Sequence, residues 1–481
     1  MCLRRVTSHK SETMLKKGAH VYFIGIGGIA MSQAALLAQE MGYGVRGSDP
    51  SVHPPTDQLL QEGNITVEKG YAAGHLDPPP DLVVIGNAVS RGNPEVEAVL
   101  DKAIPYLSLP ALIRECLLEG RRSAVVAGTH GKTTTTALLA WLLFAGGMDP
   151  SFLVGGVPLN FGRGYHSGKG EWVVIEGDEY DSAFFDKQPK FLHYLPRIVI
   201  LNSIEYDHAD IYHDLEEVKR AFYHLIAIIP SEGILVARND DTVVRDVIAG
   251  ARCRVETFGT AGRWSPQGVR VTPQGTAFSL RRGDEKMAEL EVPLWGEHNV
   301  TNTVGAVVAA TLIGLPFARI RDALRTFRGV RRRMELIGET RGISVIDDFA
   351  HHPTAIRETL RGVRVHFPQG RLWAIFEPRS QTMRRRVFEE GLAAALAEAD
   401  RVIIGKVFSP PSQGEALNPL RVVQAIRKVK GASAAVYKEE PDQIIAHCVA
   451  EAAPGDIIIV MSSGHFEGLP KRIFKALRDR S

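Results

Sequence analysis

The run Ala127-Gly-Thr-His-Gly-Lys-Thr-Thr134 places a lysine and several hydroxyls around two glycines, where an apolar stretch gives way to a helical one. Backbone N–H groups of a tight glycine turn at a helix N-terminus form an anion cradle. Lys132 is spaced to reach the β- and γ-phosphates of a nucleoside triphosphate, and the Thr133 hydroxyl to ligate Mg²⁺. Val126 stands where the general form of such a loop has its first glycine, so Gly128 and Gly131 carry the turn. A Mg²⁺–triphosphate site also calls for oxygen ligands. Glu176-Gly-Asp-Glu-Tyr-Asp181 and Asp207-His-Ala-Asp210 supply them, each after an apolar run. His208 alone would read as a structural histidine; beside these acids it is a candidate ligand.

Two further groups could do chemistry. Gly25-Ile-Gly27-Gly28-Ile-Ala30 has the form of a dinucleotide-binding turn, and Asp49 follows 24 residues after Gly25. That pattern seats a pyrophosphate on a helix N-terminus, whether from NAD, FAD or a UDP-sugar, unless the turn serves only strand–helix packing. Near the other end, Asp347-Asp348-Phe-Ala-His351-His352-Pro353 puts two acids and two histidines within six positions. They could bind metal, orient a ribose or accept a proton. Arg379, in Glu377-Pro-Arg379, could clamp a carboxylate, whereas Arg384, Arg385 and Arg386 read as a solvated helix face. Asn299 sits where a helix begins and reads as a cap.

These groups need elements to hold them. Apolar runs at 20–24, 82–85, 123–127, 172–175 and 198–201 alternate with helical patterns such as 29–41, which predicts α/β architecture with parallel strands. The polar clusters fall at the C-terminal ends of these strands, where open α/β sheets place their ligands. The apolar stretch 137–148 has core-helix length. Short alternating segments at 268–272 and 277–281 predict an antiparallel patch. A last α/β unit has predicted strands at 344–346, 372–376, 402–404 and 457–461.

Composition narrows the function classes. At 481 residues the chain has length for about three domains. Residues 1–109 are expected to form the first (1–17 being a basic tail without an apolar core, with Met14 an alternative start), 110–328 the second and 329–481 the third. A net charge of +2 makes no case for a nucleic-acid binder. No apolar run reaches the ~18 residues of a membrane span. Four cysteines without a CxxC pair fit a reducing cytosol rather than a disulfide framework.

The phosphate loop, then EGDEYD, then NSIEYDHAD, then GEHNVTN, then DDFAHHPTAI, in that order, resembles the Mur ligase family from His20 onward. The resemblance implies a Rossmann-like N-terminal domain that binds UDP, a central P-loop ATPase domain and a Rossmann-like C-terminal domain that receives an amine. It implies ATP and Mg²⁺ as cofactors and a bacterial cytoplasmic enzyme, a monomer or weak homodimer, that forms an amide through an acyl phosphate. Gly25, Gly27, Gly28 and Asp49 would then hold UDP-N-acetylmuramate (UDP-MurNAc). Residues Gly128, Thr129, His130, Gly131, Lys132, Thr133 and Thr134, with Asn302, Arg333 and Asp348, would hold ATP. Thr133, Glu176 and His208 would bind metal, with Glu176 shared between two ions, and Lys132, Glu176, His208 and His351 would serve catalysis. His351 could equally accept a proton or orient the nucleotide. The segments 85–95, 184–191 and 376–383 are similar to the branch that attaches the tripeptide L-Ala-γ-D-Glu-meso-diaminopimelate, with Arg379 toward the peptide. The branch that adds L-alanine to UDP-MurNAc is the alternative, and a nicotinamide-dependent dehydrogenase a distant one.

Overall fold

In the computed structural model, residues 15–409 and 415–480 are described. Most of the basic N-terminal segment, including Arg4, Arg5, Lys10 and Met14, lies outside them. The apolar runs become the centres of three large sheets. The first holds five parallel strands in the order Thr66–Lys69, Gly44–Asp49, His20–Ile24, Leu82–Ile85, Tyr106–Ser108. Val21, Tyr22, Phe23 and Ile24 are buried on both faces, so no polar alternation shows in their sequence. The helix Ile29–Glu40 covers one face and Pro94–Asp101 the other.

The second sheet has ten strands. Its parallel centre runs Arg254–Phe258, Ile234–Arg238, Pro196–Leu201, Arg122–Ala127, Trp172–Gly177, Ser151–Leu153. The predicted antiparallel patch is an extension of it, three strands covering Trp264–Val292, joined to Arg254–Phe258 through the pair Phe258 and Trp264. The helix Lys132–Ala145 is the expected core helix: Leu138, Leu139, Leu142 and Leu143 are fully buried against the helix Glu297–Ile313. Each such side chain contributes about 1.5–3 kcal/mol.

The third sheet has six strands in the order Glu335–Thr340, Ile343–Asp348, Ile457–Met461, Leu372–Phe376, Arg401–Ile404, Ala435–Tyr437, antiparallel only at its first pair. One apolar cluster runs from Leu15 through Leu109, Leu117 and Phe191 to Val247, so the first sheet's helical layer and the second share a core. No helix among the described residues is long and apolar enough to cross a membrane.

Candidate active site

The strand Arg122–Ala127 ends in the glycine turn and the helix Lys132–Ala145 begins immediately after it. Gly131 adopts φ +77°, and a Cβ there would stand 2.3 Å from Asn302 Oδ1 and 2.9 Å from Asn202 Nδ2. Both the backbone sign and the space demand glycine. The N–H of Thr129 donates to the Ser203 carbonyl at 2.7 Å, and that of His130 to the Ser203 hydroxyl at 3.1 Å. The turn is thereby fastened to the segment leaving the neighbouring strand, and the first helical amides lack intrahelical acceptors.

Carboxylates from two loops surround the start of this helix. The Thr133 hydroxyl donates to Glu176 Oε1 at 3.0 Å, and the Gly155 N–H to Glu176 Oε2 at 2.8 Å. Arg333 Nη2 donates to the Thr133 hydroxyl at 3.0 Å, which joins the third sheet's domain to the phosphate turn. Lys132 Nζ donates to Glu179 Oε2 at 2.7 Å, and His208 Nε2 lies 3.4 Å from Glu179 Oε1. His208, expected to share a metal with Glu176, meets Glu179 instead and clusters with Asp178 and Glu179. Glu179 belongs to the acidic run singled out in the sequence, but nothing local marks it as the partner of Lys132.

Electrostatics follow from this crowding. Burial pulls Lys132 down, yet Glu179, Asp178 and Glu176 outweigh it and carry the ammonium above its ordinary value. Burial likewise opposes charge on Glu179, but Lys132 and His208 hold it below the usual carboxylate range. His208 is pushed up to about 9, burial being overcome by Glu179, Asp207 and Asp178.

At the N-terminal glycine turn, Gly27 N–H donates to Asp49 Oδ2 at 2.8 Å, and Ser51 N–H to Oδ1 at 3.0 Å. A Cβ on Gly27 would come within 2.7 Å of that carboxylate. Asp49 therefore braces the turn. In the third sheet's domain Asp348 accepts from the Met334 and Ala350 amides, both at 2.7 Å, and from the Thr359 hydroxyl at 3.3 Å. His351 Nδ1 lies 3.0 Å from the Phe349 carbonyl, which can only accept. The ring proton thus sits on Nδ1 and Nε2 carries the lone pair. Burial holds His351 below the ordinary imidazole range, with Arg333 and His130 acting in the same direction.

Two clefts meet at the phosphate turn. One of ≈ 680 Å³ is lined by Gly25, Gly28 and Asp49, by 129–134, and by Glu176, His208, Arg333 and His351. The other, ≈ 490 Å³, is lined by His130, Gly131, Thr134, Asn302, Arg333 and Asp348. Arg379 lines neither: it lies over the Phe408 ring, 3.7 Å from its centroid, with Glu377 at 3.4 Å. Asn299 does not cap its helix, whose N-cap is Gly296; it donates to the Trp295 carbonyl and accepts from Asn302. Arg384 is buried, bonded to Ser409 and Gln381, because its segment is a turn rather than an exposed helix.

Residues 20–120 match the Mur ligase family catalytic domain, 126–310 the Mur ligase middle domain, and 332–464 the Mur ligase glutamate ligase domain. The chain is 40% identical over 465 residues, 96% of its length and 99% of the other, to the UDP-N-acetylmuramate–L-alanyl-γ-D-glutamyl-meso-2,6-diaminoheptandioate ligase of Escherichia coli K12. A UDP-N-acetylmuramate–L-alanine ligase of Salinibacter ruber is 33% identical, covering 95% of this chain and 94% of its own. Among solved structures, a murein peptide ligase of Psychrobacter arcticus superposes with TM-score 0.74 at 38% identity, covering 96% of this chain and 99% of its own.

Proposed function

The chain belongs to the Mur ligase family, a family of ATP-dependent amide-forming enzymes, and on that premise we propose that it is a murein peptide ligase. It joins L-Ala-γ-D-Glu-meso-diaminopimelate to the lactyl carboxylate of UDP-MurNAc. The observation that carries this choice is its 40% identity, over nearly the whole length, to an enzyme of that name, against 33% for an alanine-adding one.

The cleft of ≈ 680 Å³ supports the chemistry, because it runs from the N-terminal glycine turn to Lys132 and His351. UDP-MurNAc lies along Gly25, Gly27, Gly28 and Asp49, and ATP along Gly128–Thr134 with its nucleoside toward Asn302 and Asp348 in the other cleft. The lactyl carboxylate attacks the γ-phosphorus, giving an acyl phosphate and ADP. The peptide α-amine then attacks the acyl carbon, and inorganic phosphate leaves. Carboxylate and triphosphate repel each other, so the protein's task is charge neutralisation and alignment. Lys132 exchanges Glu179 for the phosphates, and Arg333, already on Thr133, contributes a second cation. His351 Nε2 takes the proton that the attacking amine must lose.

The hard oxygen donors Thr133 and Glu176, 3.0 Å apart, suit Mg²⁺, and the Asp178–Glu179–His208 cluster offers a second position once His208 gives up its proton. Bound there, Mg²⁺ would screen phosphate charge. Arg379, held at a strand end of the third sheet, faces the peptide's carboxylates. The test is product formation from ATP, Mg²⁺ and UDP-MurNAc with tripeptide in one tube and L-alanine in another. Faster ligation of tripeptide is expected; faster ligation of free alanine overturns the substrate assignment.

A further inference from the structure

On the flank of the phosphate turn, three side chains converge that the ligation chemistry leaves unused as a group: the imidazoles of His130 and His352 and the carboxylate of Glu205. His130 belongs to the turn, Glu205 to the loop after the strand Pro196–Leu201, and His352 to the segment after Ile343–Asp348. The cluster therefore spans the middle and last sheets' domains. His130 Nε2 is 3.3 Å from Glu205 Oε2, and His352 Nδ1 is 3.4 Å from the same oxygen.

These separations are long for charge-assisted hydrogen bonds, which close to about 2.7–2.9 Å. They match the edge of a coordination tetrahedron: ligands about 2.05 Å from a zinc ion stand about 3.3 Å apart. The orientation of His352 points the same way. Its Nδ1 accepts the Thr354 N–H at 3.4 Å, as the N-cap of the helix Pro353–His366. The lone pair so marked lies on the nitrogen facing Glu205; an imidazole nitrogen has only one, so an ion bound there displaces this long Thr354 contact. The Thr354 hydroxyl donates to Glu205 Oε2 at 2.8 Å. His352 is only 9% exposed, while His130 and Glu205 keep 22% and 33%. The ring is thus held in place while the site stays open to solvent.

We propose that His130 Nε2, Glu205 Oε2 and His352 Nδ1 form a binding site for a borderline transition-metal ion such as Zn²⁺, with water as fourth ligand. The site is separate from the oxygen-rich Mg²⁺ position at Thr133 and Glu176. Two imidazoles and one carboxylate select Zn²⁺ over Mg²⁺. Because its ligands come from two domains, the ion fastens the last domain onto the phosphate turn. The metal site stands apart from the substrate assignment and survives if that assignment fails.

The test is Co²⁺ and Zn²⁺ titration of the full chain without substrates, in excess Mg²⁺ to fill the oxygen-rich positions. One Co²⁺ per chain with visible absorption of four-coordinate character is expected, displaced by one equivalent of Zn²⁺. Glu205→Ala and His352→Ala should each weaken Zn²⁺ by at least the ~10–100-fold that loss of an outer partner causes. His351→Ala, next in sequence but outside the cluster, should retain it. Circular dichroism confirms that the variants are folded. Absence of stoichiometric binding in Mg²⁺, or binding unchanged in both Glu205→Ala and His352→Ala, overturns the proposal.

Discussion

Replacing Lys132 by methionine separates the structural from the chemical part of its role. The ammonium sits 2.7 Å from Glu179, and the two side chains are 13% and 1% exposed. Removing one member of a buried pair costs about 3–5 kcal/mol, because the other charge is left uncompensated. Here His208, 3.4 Å from the second Glu179 oxygen, supplies a remaining cation. The expected loss for Lys132→Met is therefore at the lower end, about 3 kcal/mol. Adding Glu179→Gln removes the orphaned charge, so the double variant should recover most of that stability. Activity should recover in neither, since both lack the cation opposite the phosphates, a loss of at least ~10²–10³-fold. Urea unfolding at neutral pH reads the first effect, through the midpoint at constant slope; phosphate release in the presence of all substrates reads the second. A double variant no more stable than the single one would refute the pairing argument. A Lys132→Met enzyme within tenfold of wild type would refute the catalytic one.

Other expectations are briefer. Gly131→Ala should cost about 1–2 kcal/mol for the left-handed backbone and about 1–3 kcal/mol for displacing Asn302 and Asn202; it should raise the KM for ATP, and an unchanged KM would contradict the close fit. His351→Asn should abolish an acidic limb in the kcat–pH profile: the neutral ring is the active form and burial holds it below 6.5, so wild-type kcat should fall only under that pH. Survival of the limb in the variant excludes His351 as proton acceptor. Asp347 is pushed up to about 7 by burial, with Asp348 and Glu335 adding to it against Arg332. The folded chain then binds a proton there that the unfolded chain, near 3.9, has released. Its contribution to stability should decline from pH 4 to 7 and level off above. Subtracting the stability of Asp347→Asn from that of wild type isolates the decline; a flat difference would contradict the raised value.

Legibility in the sequence tracked burial on both faces. Strands such as Leu372–Phe376 and Ile457–Met461, and His20–Ile24 after its exposed first residue, are runs of buried apolar residues, and the runs alone mark them. Gly44–Asp49 and Glu335–Thr340 carry glycine and charge, Thr66–Lys69 carries charge, and none has such a run. Their extended backbone is imposed by pairing to a neighbour, which no local pattern reports. The residue types of the candidate site were equally legible, because a glycine turn and acids at strand ends are local features. Their pairing was not. Lys132 meets Glu179 across 47 positions, and Glu205 meets Thr354 across 149. The Thr382 hydroxyl, donating to Asp207 at 2.6 Å across 175, ties the same two domains without any sequence signal. Arg384 misleads for a related reason: three successive arginines look solvated until the fold folds one of them inward.

The central claim is that ATP activates the sugar-borne acid by phosphorylating it. UDP-MurNAc labelled with ¹⁸O in its lactyl carboxylate, turned over with ATP and tripeptide, tests this by mass spectrometry of the released phosphate. Passage through an acyl phosphate predicts one ¹⁸O atom in each phosphate, left behind when the amine displaces it. Phosphate released without label, while amide product accumulates, would contradict the account.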